Sequence, residues 1–295
     1  MKTTTRLRQM LAEPGMIIAP GSYDCISART IEQAGYACAY MTGAGTSMSR
    51  GFPDYGLLTM SEMVENAAAI ARSIDIPLIS DADTGYGNEL NVTRTVREFE
   101  GRGVAGIHIE DQVSPKRCGH LDGKEVISRD EYVAKIRAAV AARRDPDFVI
   151  IARTDARAVL GLDEAIARAR LACEAGADIG FVEAVQSVEE MAAVPKQIGK
   201  PCLLNVVQGG KTPLVELEEA RSMGYRLAIL PGLLFTVAID AMDTVLADLK
   251  KTGKAQPRPQ GATVADTFRR FGTEDWDRIR RGEQPPAPLR MTAAE

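Results

Sequence analysis

One theme recurs eight times along the chain: a short apolar run, a polar loop, then apolar residues at helical spacing. The runs are 16–20, 37–41, 77–80, 106–109, 148–152, 178–182, 202–204 and 227–230. The helical stretches are 26–34, 62–74, 91–102, 129–144, 163–174, 188–198, 214–223 and 233–249. Runs that are apolar throughout suit strands buried on both faces, so the pattern predicts a parallel sheet covered by helices. Eight such units over roughly 240 residues predict an α/β fold, a (β/α)8 TIM barrel. A doubly wound open sheet is the alternative. Eight is the closure number, however, and no Gly-x-Gly-x-x-Gly follows the first run. Gly35, Gly103, Gly176 and Gly224 stand where helical spacing stops, and Ser128 reads as an N-cap. The units share no internal identity, which excludes a repeat array.

The periodicity ends near residue 250. Residues 1–250 are expected to form the barrel, and 251–295 a linker and a helical tail. Stretch 263–280 predicts one or two short helices with Phe268, Phe271 and Trp276 as anchors, to be buried on the barrel or on a neighbouring subunit. The Pro/Ala-rich end is expected to be disordered.

Composition narrows the function classes. A chain of 295 residues is long enough for one large core. The net charge of −4 comes from interspersed signs, which leaves no basic face for nucleic acid. No apolar stretch approaches the roughly 18–20 residues that span a bilayer. The N-terminal Met1-Lys-Thr-Thr-Thr-Arg-Leu-Arg8 is followed by no apolar signal region. Five cysteines lack metal-type spacing, and Cys25, Cys38, Cys173 and Cys202 read as core residues. A reducing, cytoplasmic setting is expected.

In a barrel of this kind, reactive groups stand at the C-terminal ends of the strands. Those ends carry Thr42, Asp81, Asp83, Glu110, Arg153, Glu183 and Asn205, with Cys118 on the loop after the fourth run. Asp81 and Asp83 are spaced to point the same way. Paired carboxylates either cap a turn or hold a hard cation, magnesium or alternatively manganese. Arg153 either grips a substrate carboxylate or forms an ion pair with Asp155 or Glu183. Asn205 either donates to substrate or shapes a turn, and Thr42-Gly43-Ala44-Gly45 offers backbone N–H groups for an anion. Cys118 lies between Lys116, Arg117 and His120, charges that favour a thiolate; its task is proton transfer, unless it is an idle surface thiol. His108 lies inside the fourth run and reads as a core or strand-end residue.

Asp81-Ala-Asp-Thr-Gly-Tyr-Gly87, Ile109-Glu-Asp-Gln112 and Lys116-Arg-Cys-Gly-His120, with Pro53-Asp54 and Ala152-Arg-Thr-Asp155, resemble the isocitrate lyase / phosphoenolpyruvate mutase superfamily over about residues 5–250. The cysteine-bearing loop matches its lyase branch. The resemblance implies a magnesium-dependent barrel with a swapped eighth helix and a homotetramer, a dimer of dimers. It implies metal ligation by Asp81 and Asp83, with Asp54 and Glu110 in the outer shell. It implies catalytic roles for Cys118 (proton donor), Arg153 (carboxylate grip) and Glu183. Thr42, Gly43, Ala44, Gly119, Arg153, Glu183 and Asn205 fall where the family binds substrate.

Departures narrow the substrate. Where the 2-methylisocitrate lyases carry an arginine after Cys-Gly-His, this chain has Leu121. After the seventh strand it has Asn205-Val-Val-Gln-Gly209 in place of Asn-Ile-Thr-Glu-Phe. Near the start of the eighth helix Thr236 replaces an arginine. One fewer cation suits a dicarboxylate with an alkyl group, because a buried carboxylate without a partner costs on the order of several kcal/mol. The pattern is similar to that of the 2,3-dimethylmalate lyases. The expected activity is cleavage of a C–C bond in a 2-hydroxy dicarboxylate to a 2-oxo acid and a second carboxylate. Oxaloacetate hydrolysis or decarboxylation is the alternative. Phosphonate P–C chemistry and a non-catalytic binding barrel rank behind it.

Overall fold

The computed structural model describes residues 1–255 and 261–283. Eight strands, Ile17–Ser22 (β1), Ala39–Met41 (β2), Leu78–Asp81 (β3), Gly106–Glu110 (β4), Val149–Thr154 (β5), Ile179–Val182 (β6), Cys202–Asn205 (β7) and Leu227–Leu230 (β8), pair in chain order. All pairs are parallel, and β8 returns to β1, so the sheet is a closed barrel as the periodicity predicts.

Strand geometry explains how the barrel builds its mouth. Successive side chains alternate between the two faces of a strand. Ile17, Ala19, Tyr40, Ile79, Val149, Ile151, Ile179, Phe181, Leu203, Leu227 and Ile229 form one buried interior cluster. Their neighbours Leu78, Ile107, Ile109, Ile150 and Ala152 pack outward under the helices. Both faces are therefore apolar, which is why the strands read as unbroken runs. Carried two residues further, the inward face changes chemistry. Asp81 follows Ile79, Arg153 follows Ile151, Glu183 follows Phe181 and Asn205 follows Leu203, while β4 contributes His108 and Glu110.

The helices lie close to their expected positions. The stretch 129–144 is a helix over Arg129–Ala142, and Ser128 caps it in a reciprocal box with Glu131. Among the described residues, three helices escape the sequence pattern, the shortest being the single turn Ala156–Val159. Thr3–Ala12 carries a single fully buried apolar residue, Leu7, which joins the barrel's interior cluster at its lower end. Arg8 bolts this helix down through Asp178 at 2.7 Å and the carbonyls of Asp147 and Phe148. Gly43–Ser49, which begins in the Thr42-Gly43-Ala44-Gly45 segment expected to offer backbone N–H groups, is a short helix capped by Thr42. Cys25, expected in the core, is the half-buried first residue of its helix, whereas Cys38, Cys173 and Cys202 are buried.

After β8 the chain forms the 20-residue helix Leu233–Thr252, in which no residue is buried. Val237, Met242, Val245 and Leu246 are all more than half exposed. Two short helices follow, Val264–Arg269 and Thr273–Arg280. The turn between them rests on the chain's own helix Cys25–Gln33: Arg270 reaches Gln33 at 2.8 Å, and Arg29 lies over the Phe271 ring. Phe268 and Trp276 remain exposed. The expected linker at 256–260 and the expected disordered end at 284–295 lie outside the described residues.

Candidate active site

The centre of the mouth is Arg153, at the end of β5. The parallel register sets Glu110 beside it on one side and Phe181 on the other. Its guanidinium meets three carboxylates: Asp155 at 2.9 Å from Nε, Glu110 at 3.1 Å from Nη1 and Glu183 at 3.5 Å from Nη2. Both ion pairs anticipated for Arg153 are therefore present, with Glu110 as a third. The Phe181 ring closes the remaining side at 5.4 Å. Burial alone would lower the arginine's pKa, but Asp155, Glu110 and Glu183 hold it well above its usual value.

Glu183 and Asn205 form the next layer. Asn205 donates through Nδ2 to both Glu183 oxygens, at 3.0 and 3.3 Å. It thus braces the acid, and its own Oδ1 is buried without a partner. His120 stands 3.2 Å from Glu183 through Nε2. Its Nδ1 accepts the Lys211 N–H at 3.0 Å, which leaves the proton of a neutral ring on Nε2, facing the acid. Burial would raise the Glu183 pKa, but Arg153, His120 and Asn205 drive it far below the carboxylate range. Glu110 behaves oppositely: burial raises it well above its usual value despite Arg153.

On the other side of the mouth, β3 ends at Asp81, and Asp83 sits two residues beyond the strand. Asp83 adopts a left-handed φ of 46°, and its carbonyl accepts the Glu110 N–H at 2.9 Å. Its own N–H donates to Asp81 Oδ1 at 2.9 Å, so the two carboxylates are held together by the turn. Gly43 lies against Asp81: a Cβ there would stand 2.4 Å from Asp81 Oδ2. Thr42 spends its side chain on the Gly45 N–H. Gly43 therefore borders Asp81 directly.

Sequence reasoning missed the cation at this end. Lys116 is 3% exposed, hydrogen bonds to Asp54 and lies 3.0 Å from Asp83. Burial would lower its pKa, but Asp83, Asp54 and Asp81 hold it well above the usual value. Asp83 is pushed up to about 6 by burial, with Lys116 pulling it down and Asp81 and Asp54 pushing it up. Among the described residues, no group of three or more His, Cys, Asp or Glu side chains converges on a metal position. What the site offers is two buried carboxylate groups whose joint ionisation is strained. That set fits a magnesium ion, which keeps several waters and takes its other ligands from substrate.

Cys118 stands over this site on the loop between Asp111 and Ile127. Antiparallel pairing of Gln112 with Val126 zips the neck of the loop, and its tip folds inward. The Cys118 N–H donates to the Asp54 carbonyl at 3.1 Å. Gly119 lies so close to Arg153 and Glu183 that a Cβ would stand 2.6 and 2.4 Å from them. The thiolate expected from neighbouring positive charge is not favoured: burial and Asp54 raise the Cys118 pKa, because the loop tucks the thiol inward and carries Arg117 elsewhere, over Tyr55. The group is a thiol at neutral pH, the form a proton donor needs. His108 is a core residue, 2.8 Å from the Tyr40 hydroxyl, and burial lowers its pKa to about 4. Leu121 is 45% exposed at the loop's outer edge, and the Thr236 hydroxyl is turned back to the Gly232 carbonyl.

The Glu183 carboxylate is stabilised by folding. Its pKa is depressed in the folded state, so its contribution is complete above the unfolded value and is lost as pH falls toward the folded one. Glu183→Gln should destabilise the protein at pH 7 by about 3 kcal/mol. In urea unfolding this deficit should shrink steadily between pH 5 and pH 3; a constant deficit would contradict the assignment.

Comparison with known proteins agrees with this geometry. The phosphoenolpyruvate phosphomutase family model matches residues 7–250. The chain is 48% identical over 251 residues to 2,3-dimethylmalate lyase of Eubacterium barkeri, covering 85% of this chain and 87% of that one. It is 44% identical over 247 residues to 2-methylisocitrate lyase of Aeropyrum pernix, covering 84% and 80%. The fold superposes on oxaloacetate acetylhydrolase in complex with 3,3-difluorooxalacetate with a TM-score of 0.92, at 43% identity, over 95% and 97% of the two chains. A more distant structure, phosphonopyruvate hydrolase with oxalate and Mg++, gives 0.86 at 31% identity, over 95% and 99%. The chain therefore belongs to the phosphoenolpyruvate phosphomutase family, within the PEP mutase/isocitrate lyase superfamily.

Proposed function

We propose that this protein is a magnesium-dependent C–C lyase that cleaves a 2-hydroxy dicarboxylate, of the 2,3-dimethylmalate or 2-alkylmalate type, to a 2-oxo acid and a second carboxylate. The observation that carries this reading is the Cys118 loop tucked over a mouth that presents Arg153 and two paired aspartates, with Gly119 packed against Arg153 and Glu183. The similarity to 2,3-dimethylmalate lyase over most of both chains supports the substrate class.

Asp81 and Asp83 would hold magnesium, with Asp54 and Glu110 further out. The ion would stabilise the negative charge of the 2-oxo acid as it forms. The other roles fall to the chain itself. Arg153 grips the carboxylate of the departing fragment, held in orientation by Asp155, Glu110 and Glu183. Glu183 stays ionised and serves to orient Arg153 and Asn205. The backbone of Thr42, Gly43 and Ala44, and of Gly119, lines the substrate. A base beside the paired aspartates takes the 2-hydroxyl proton; as the C–C bond breaks, the oxygen's electron pair forms the C=O of the 2-oxo acid, the bond's own pair stays on the departing carbon, and Cys118 delivers a proton there. Manganese would satisfy the same oxygen donors.

A second enzymatic reading, oxaloacetate hydrolysis on the same residues, is favoured by the fold's similarity to oxaloacetate acetylhydrolase. Both readings place the substrate, a small di- or tricarboxylate, at the same mouth. No helix among the described residues is long and apolar enough to cross a membrane, and the five cysteines carry free thiols, which supports a reducing, cytoplasmic setting. We read residues 1–250 as the catalytic domain. The exposed apolar helix Leu233–Thr252 is the segment that a second copy would cover, by exchange of this helix in a homotetramer.

Two measurements test this reading. With magnesium, purified protein should release a 2-oxo acid from 2,3-dimethylmalate or 2-alkylmalates faster than it consumes oxaloacetate. Chelation should abolish the release, and Cys118→Ser should lower turnover by roughly 10²–10⁴-fold. Faster turnover of oxaloacetate would select the hydrolase, and no turnover of either would refute both. In sedimentation equilibrium the protein should run as four chains; a monomer at micromolar concentration would refute the exchanged helix.

A further inference from the structure

We propose that Lys124 is a positioning residue that latches the 113–125 loop to the carboxylate orienting Arg153. The loop is exposed on both sides of this lysine: the Asp122 side chain is 93% exposed before it, and Glu125 is exposed after it. The Lys124 side chain is only 1% exposed. A buried ammonium costs several kcal/mol unless it is paired. Its two partners belong to different parts of the site. Nζ donates to the Gly119 carbonyl, within the loop tip, and lies 3.5 Å from Asp155 Oδ1, on the barrel.

The same Asp155 oxygen accepts from Arg153 Nη2 at 3.2 Å, while Oδ2 accepts from Arg153 Nε at 2.9 Å. One carboxylate therefore serves the loop lysine and the central arginine at once. Asp155 is also fixed from below. Its N–H donates to Asp111 Oδ1 at 2.8 Å, and Asp111 is held by Thr154 at 2.6 Å and by Arg168 at 3.1 Å. Arg168 in turn donates to the carbonyl of Ile127, where the loop rejoins the barrel. Lys124 thus docks on a rigid acceptor, and only with the loop in place does Gly119 pack against Arg153 and Glu183. When the loop lifts, Asp155 loses one of its two cations and Cys118 loses its inward position. Loop closure and the setting of the guanidinium become one event. In its effect on turnover, this inference rests on the proposed lyase reading; the latch itself does not.

The test uses two half-buried thiols in the full-length protein. Cys118 lies on the loop, and Cys25, on the separate helix Cys25–Gln33, serves as internal control. Alkylation by iodoacetamide, followed by peptide-resolved mass spectrometry, gives the ratio of the two rates. Lys124→Met should raise the Cys118 rate roughly tenfold relative to Cys25, as expected when a local opening loses one buried polar interaction. Lys124→Arg, which keeps the cation, should stay near the wild-type ratio. Asp155→Asn, which removes the partner's charge from the barrel side, should reproduce Lys124→Met. A general loss of stability would raise both rates together, so an unchanged ratio in both Lys124→Met and Asp155→Asn overturns the latch. On the substrate, Lys124→Met should lower kcat/KM by a similar factor. If the wild type turns over no 2-hydroxy dicarboxylate, the lyase reading fails, and the alkylation ratio still decides the latch.

Discussion

The guanidinium of Arg153 is buried among three carboxylates, and most of the mouth follows from keeping that charge paired. Removing one partner from a buried ion pair costs about 3–5 kcal/mol, so none of Asp155, Glu110 or Glu183 is free to drift. Each acid recruits its own support. Asn205 and His120 brace Glu183, Asp111 and Arg168 underpin Asp155, and Glu110 is fixed by strand register and by its N–H on the Asp83 carbonyl. The barrel supplies the rigid frame that this density of charge requires.

The two ends of the mouth are tuned in opposite senses. At the Arg153 end, Glu183 is held ionised by Arg153, His120 and Asn205 while burial pushes Glu110 toward its neutral form, a setting suited to receiving a substrate anion in a fixed pose. At the Asp81–Asp83 end the acids crowd each other, and Lys116 only partly relieves them. That second arrangement is what a divalent cation would stabilise. Cys118 lies between, uncharged because the loop buries it. A proton donor that stays loaded at neutral pH, facing a fixed anion grip, is a sensible arrangement for capturing a carbanion.

Much of this was legible in the chain because a closed parallel barrel converts strand position into site position. Apolar runs ending in Asp81, Glu110, Arg153, Glu183 and Asn205 placed those groups at one end before any contact was known. What stayed hidden depends on contacts between distant segments. Nothing local marks Lys116 and Lys124 as buried, since the polar loop gives no sign that it folds inward. The charge of Cys118 is not legible locally for the same reason: its neighbours in sequence are not its neighbours in space, and burial and Asp54 decide. The helix Thr3–Ala12 escaped because a plug that buries one leucine leaves almost no periodic signal.

The central claim is that Cys118 protonates the carbon released when the C–C bond breaks. Its thiol hydrogen exchanges with solvent, so cleavage of a 2-hydroxy dicarboxylate in D2O tests the claim directly. The released carboxylate should carry one deuterium at the former bonding carbon, in a single configuration, and Cys118→Ser should lose that stereochemical bias along with its rate. Equal labelling in both configurations by the wild-type protein, or a Cys118→Ser variant that labels as the wild type does, would contradict the account.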